Sequence, residues 1–125
     1  MSDDQSFTHE AAASWPWPDA LDAAIAAPRH HVLLFENDRV RVLETNIRPG
    51  ERTALHTHRW PMTIHVLNRS DFVRYDDMGN VTLDSRQFPA SASPPKVMWS
   101  EPLPPHALEN VGSSDLHVIS VEVKS

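Results

Sequence analysis

Gly50-Glu51-Arg52-Thr53-Ala54-Leu55-His56-Thr57-His58 is the stretch on which the reading of this chain turns. It leaves a turn at Arg48-Pro49-Gly50-Glu51 and enters a segment, 54–58, of strand character. Side chains alternate faces along a strand, so His56 and His58 point the same way, with Cα atoms roughly 7 Å apart. Two imidazoles so placed can reach one metal ion through bonds of about 2.0–2.1 Å. A third ligand must come from elsewhere in the chain. His106 is the candidate, because it enters a strand directly after the rigid Pro102-Leu103-Pro104-Pro105 segment.

The surroundings read as short strands divided by turns. Strand segments are expected at 31–35, 39–44, 54–58, 62–67, 72–75, 81–83, 97–99, 107–111 and 116–123. Glu36-Asn37-Asp38 and Asp77-Met78-Gly79-Asn80 are turn signals, the second of a hairpin. Residues 89–96, rich in proline and serine, read as loop. Many short strands with regular turns imply an all-β sandwich or barrel, and the 11 prolines agree with that class. One helix is expected, from Pro18 to Ala27, with Pro18 in its first turn, Pro28 ending it and Leu21 and Ile25 forming an apolar stripe. The chain thus divides into an N-terminal arm and short helix, 1–30, and a barrel domain, 31–125. Trp15 and Trp17 are expected to dock the arm, with a second subunit as one possible surface.

Composition narrows the function. The length, 125 residues, suits one domain with one core. The net charge of -6 argues against nucleic acid, whose phosphates need a basic patch, and weakly against an anionic membrane. There is no cysteine, which removes disulfides, thiolate zinc sites and a cysteine nucleophile. The N-terminus is acidic with no apolar run behind it, so a cytoplasmic protein is expected. Three glycines make a phosphate-cradling glycine loop implausible.

The stretch from Gly50 to His58, a glycine followed after five residues by His-x-His, resembles the first cupin motif. Pro102-Leu103-Pro104-Pro105-His106-Ala107-Leu108-Glu109-Asn110 resembles the second, which ends in His, three residues, then Asn. Phe35 to Leu43 is similar to the first barrel strands of small single-domain cupins, and the likeness spans roughly residues 31–124. It implies a double-stranded β-helix, the jelly-roll cupin barrel, with one short N-terminal helix ahead of it. It also implies a divalent metal on His56, His58 and His106, and a homodimer. The chain departs from the pattern where the first motif carries a glutamate: the positions hold Met62 and Thr63. Arg69 or Ser70 stands where a glycine follows, and Leu103 replaces the second motif's internal glycine. The ligand set is then three histidines, similar to the three-histidine cupin dioxygenases and to cupins with partly degraded sites.

Three neutral imidazoles leave the ion its full charge and open positions, and they suit iron, zinc, nickel, copper and manganese without choosing among them. Trp60, Met62, Ile64, Trp99 and Asn110 are candidate pocket residues, Asn110 also as a brace of its turn. His65 falls on the face opposite Met62 and Ile64 if Met62 takes the glutamate position. Glu101 is a candidate acceptor for a ligand histidine's N–H or a candidate general base, although an exposed glutamate is the plainer expectation. His9, His30, His31 and His117 read as surface, strand-end or interface histidines. Arg39 and Arg41 read as a solvated sheet face, or as an arginine turned inward to bind a carboxylate. The functional expectation is a metal-dependent oxygenase acting on a small polar metabolite, with no catalytic residue assigned. The alternatives are a non-catalytic small-ligand-binding module and a metal-assisted isomerase or lyase.

Overall fold

A computed structural model of the chain describes residues 15–89, 91 and 94–124. Among these described residues nine strands form two antiparallel sheets: β1 (His31–Glu36), β2 (Val40–Ile47), β3 (His56–His58), β4 (Met62–Asn68), β5 (Phe72–Asp76), β6 (Val81–Asp84), β7 (Val97–Ser100), β8 (Leu103–Asn110) and β9 (Leu116–Val123). The larger sheet runs β1-β2-β9-β4-β7 and the smaller β3-β8-β5-β6. Among the described residues no helix is long and apolar enough to cross a membrane.

Alternation on β2 fixes which face of the larger sheet is covered. Arg41, Leu43, Thr45 and Ile47 are buried while their neighbours are not. The ladder to β9 sets Arg41 opposite Glu122, and β9 in turn sets Glu122 opposite Met62 of β4. One inward row therefore carries Arg41, Glu122 and Met62 side by side. His31 pairs with Thr45, which places it on the same inward face.

The strand expected at 107–111 begins earlier, at Leu103, and passes through Pro104 and Pro105. Two prolines are tolerated because neither neighbour needs their N–H. The ladder to β5 ends at His106, and the ladder to β3 is irregular between His56 and His58, where His56 faces His106 and His58 faces Leu103. The expected turn is thus an irregular strand segment, and it brings the second motif's histidine directly across from the first motif's.

The helix expected over 18–27 is broken in two. A 3-10 turn, Asp19–Leu21, is followed by a single helical turn, α1 (Ala23–Ala26). Asp22 separates them in an extended conformation, its carboxylate accepting from the Ala24 N–H as the N-cap. Its backbone also bridges to Thr57, between the two motif histidines. The buried side chains are Ala23 and Ala27, not the anticipated Leu21 and Ile25 stripe; Ile25 is 61% exposed. Alanine lets the backbone approach β3, which a leucine would hold away. Trp15 and Trp17 pack edge to face, with ring centroids 4.8 Å apart.

Candidate metal centre

Four imidazoles from three strands meet in the interior. His31 opens β1, His56 and His58 lie on β3, and His106 lies on β8. All four are buried, between 2% and 6% exposed. The ring nitrogens of His31, His56 and His58 come within 4.8 Å of one another. Ring centroids are 4.5 Å apart for His31–His56, 5.5 Å for His31–His58 and 5.0 Å for His56–His58. His106 joins through its ring, 4.3 Å from that of His56 and 5.5 Å from that of His58. Two imidazoles bound to one ion at about 2.0–2.1 Å put their centroids on the order of 4.5–5.5 Å apart at near-tetrahedral or right angles. His31, His56 and His58 already have that spacing, while His106 packs closer to His56 and lies outside their group of converging ring nitrogens.

Each ring is held by the nitrogen that would not bind metal. His31 Nδ1 donates to the Ala27 carbonyl at 3.0 Å, His56 Nδ1 to the Ala54 carbonyl at 2.7 Å, and His106 Nδ1 to the Pro104 carbonyl at 2.7 Å. His58 Nδ1 donates to Glu122 Oε2 at 3.1 Å. A carbonyl or carboxylate at Nδ1 places the proton there and leaves Nε2 as a free lone pair, the arrangement that orients metal-binding histidines. Burial, reinforced by the neighbouring imidazoles, pushes His31 down to about 4 and His106 down to about 3. The same causes hold His56 far below the usual histidine range. These rings are neutral at physiological pH and ready to ligate.

Behind His58 runs a buried charge relay. Glu122, fully buried, accepts from His58 through one oxygen and from Arg41 Nε, at 2.6 Å, through the other. Arg41 grips both oxygens of Asp22 with its remaining nitrogens, at 2.8 Å each. Burial works against the Glu122 and Asp22 carboxylates, but the bonds from His58 and Arg41 outweigh it, and both stay below the ordinary carboxylate range. Arg41 is held above its usual value by the same two acids against the opposing effect of burial. The first motif's missing glutamate thus has a spatial neighbour: Glu122 stands directly across the ladder from Met62.

The other candidate residues are placed as follows. Met62 is buried in the inward row and Ile64 is half-buried two residues on. Thr63 and His65 share the other face, hydrogen-bonded to each other at 3.0 Å. Trp99 pairs with Thr63, so it sits on that outer face, 55% exposed, and donates to Glu101. It does not wall the ring cluster, and Glu101 is taken up by Trp99. Trp60 is half-buried beneath Arg41 and Lys124, 5.1 and 5.3 Å from its ring centre. Asn110 is fully buried and braces the turn. It donates to the Ile47 and Ser114 carbonyls and accepts from Ser70 and the Gly112 N–H. Gly112 itself has no room for a side chain, since a Cβ would lie 2.7 Å from the Asp71 backbone nitrogen.

Of the four histidines read as surface, strand-end or interface, two are buried, His30 and His31. His31 is one of the four rings, and His30 is buried beside Glu51 at 3.2 Å. His117 pairs with Glu44 at 2.7 Å on the half-exposed face of the larger sheet. His9 lies outside the described residues. His31 escaped a reading by motif because it stands far from both motifs in sequence. Its one signal is a histidine at the head of an apolar strand.

No family model and no curated protein sequence matches the chain. Solved structures do. A cupin domain from Bordetella pertussis Tohama I superposes with a TM-score of 0.60 at 18% identity, covering 76% of this chain and 92% of that one. The chain has the cupin fold. An RmlC-like cupin with a double-stranded β-helix fold from Methanocaldococcus jannaschii gives 0.52 at 10% identity, covering 74% and 79%. A double-stranded β-helix protein from Klebsiella pneumoniae gives 0.52 at 20% identity, covering 76% and 77%. The inward imidazoles of the chain lie on both resembling stretches and on β1. Their donor set suits a divalent ion: buried imidazoles oriented through Nδ1 and backed by a carboxylate.

Proposed function

We propose that this cupin is a metal-dependent oxygenase for a small polar metabolite, its divalent ion held by His56, His58 and His106 with His31 as a further imidazole. One observation carries the reading. Four buried rings have Nδ1 anchored on a protein acceptor and Nε2 left free. A divalent ion there would supply Lewis acidity and, if iron, redox chemistry with dioxygen. The protein's own part is to orient the imidazoles, to brace His58 through Glu122, and to exclude water with Leu43, Met62 and Ile64. Neutral ligands leave the ion's charge unquenched, so an anionic chelating substrate is favoured. The edge strand β1 exposes about half of Val32, Leu33, Leu34 and Phe35, which supports a homodimer; a monomer mass by light scattering would contradict it.

The test is oxygen uptake by iron-loaded protein given a panel of small carboxylates and thiols. The expected result is substrate-dependent oxygen consumption that is abolished in His106→Ala. Turnover without oxygen uptake would mean an isomerase or lyase. Thermal stabilisation by a compound that is never turned over would mean a binding module.

A further inference from the structure

Arg74 lies on β5 opposite Leu108 of β8, and Asp76, two residues on, lies opposite His106. Paired residues share a sheet face and alternate residues return to it, so Arg74 and His106 stand on the same face, the one turned toward the imidazoles. Arg74 Nε is buried with no hydrogen-bond partner, and it is the one buried side-chain nitrogen or oxygen so placed among the described residues. None of the ion pairs among those residues involves Arg74. Burial lowers its pKa with no carboxylate to oppose it. A guanidinium nevertheless keeps its proton, and a half-buried cation whose Nε has no partner carries a desolvation cost.

The interior charge can be reckoned from these groups. Asp22 and Glu122 bring two negative charges and Arg41 one positive, so the relay is negative by one. A divalent ion on the imidazoles and Arg74, which has no acidic partner, bring three positive charges. Asp76 shares that face, but its carboxylate is taken up by the Met78 and Asn80 N–H groups and the Asn80 amide in the hairpin turn. The remaining groups leave a balance of two positive charges that no other ion pair among the described residues answers.

From this we infer that Arg74 is the substrate-anchoring residue and that the substrate is a small dianionic chelator, a carboxylate carrying a second anionic oxygen. One end meets the ion and the other accepts from the Arg74 guanidinium, whose planar fork matches a carboxylate. The inference rests on the proposed metal centre for one of the two anionic ends and on Arg74 alone for the other.

Malonate is the probe, with malonamide as its uncharged counterpart of the same shape. Protein loaded with cobalt(II) is titrated with each while the visible cobalt bands are followed. The wild type is expected to bind malonate and to bind malonamide far more weakly. Arg74→Gln is expected to lose about 10–100-fold in malonate affinity, the scale of a lost charge-assisted carboxylate contact. Its cobalt bands before malonate should be unchanged, and Arg74→Lys should recover part of the affinity. Equal malonate affinity in wild type and Arg74→Gln would overturn the inference and leave the metal centre standing. Failure of the wild type to bind cobalt would overturn the metal centre. Arg74 would then be judged by malonate-induced thermal stabilisation of the metal-free protein, with equal stabilisation in Arg74→Gln counting against it.

Discussion

Replacing Arg41 with alanine is expected to lower the stability of the fold by about 3–5 kcal/mol, the range for breaking a buried ion pair from one side. The side chain is almost completely buried and holds two acids at once, Glu122 through Nε and Asp22 through both terminal nitrogens. Its removal leaves the fully buried Glu122 carboxylate with only the His58 N–H. It also frees Asp22, which links α1 to β3 beside Thr57. A domain of this size is stable by roughly 5–15 kcal/mol, so the variant should sit near its folding threshold. Urea denaturation of both proteins measures the difference. Adding Glu122→Gln to Arg41→Ala should recover part of it, because the stranded charge is then gone. A loss below about 1 kcal/mol, with no recovery in the double variant, would show that the relay is solvated and matters little.

Acid should unfold the metal-free protein earlier than its carboxylates alone would require. His31 is held down to about 4, His106 to about 3, and His56 lower still. In the unfolded chain each titrates near 6.5, so as the pH falls below that value the unfolded state takes up protons that the folded state refuses. Their contribution to stability is complete above about pH 6.5 and declines by about 1.4 kcal/mol per histidine for each pH unit below it. At pH 5 the loss is about 2 kcal/mol for each of the three, and the decline continues to roughly pH 4 for His31 and pH 3 for His106. The depressed carboxylates of Asp22 and Glu122 act in a separate, lower window, below their unfolded values near 4. Urea denaturation of chelator-treated protein at pH 7.5 and pH 5 should show the difference, and His31→Phe should flatten the dependence. A stability that is the same at both pH values would mean that the rings reach water or already carry protons.

Much of the barrel was legible because its signals are local. Alternation over Val40–Ile47, the turns at Gly50 and Gly79, both at positive φ, and the apolar run ending in Val123 each declare themselves within a few residues. His56 and His58 were legible as a pair for the same reason, since period two is a property of the strand itself. What escaped depends on register between distant strands. Nothing near His31 in sequence says that β1 lands beside β2 with His31 opposite Thr45. Glu122 becomes His58's partner only because β9 lies between β2 and β4. The helix from Pro18 was overestimated because local propensity does not include Asp22's bonds to Arg41 and to the Thr57 backbone. The prolines before His106 looked like a turn because a strand's tolerance for proline depends on its neighbours. Here β5 has ended and the β3 ladder is irregular.

The central claim is that the buried imidazoles hold a metal ion. Elemental analysis of protein purified without an affinity tag or chelator, beside His56→Ala, tests it most directly. The account predicts close to one divalent ion per chain in the wild type and almost none in the variant. Absence of metal from the wild type, together with failure to take up iron, zinc, nickel or manganese, would contradict it.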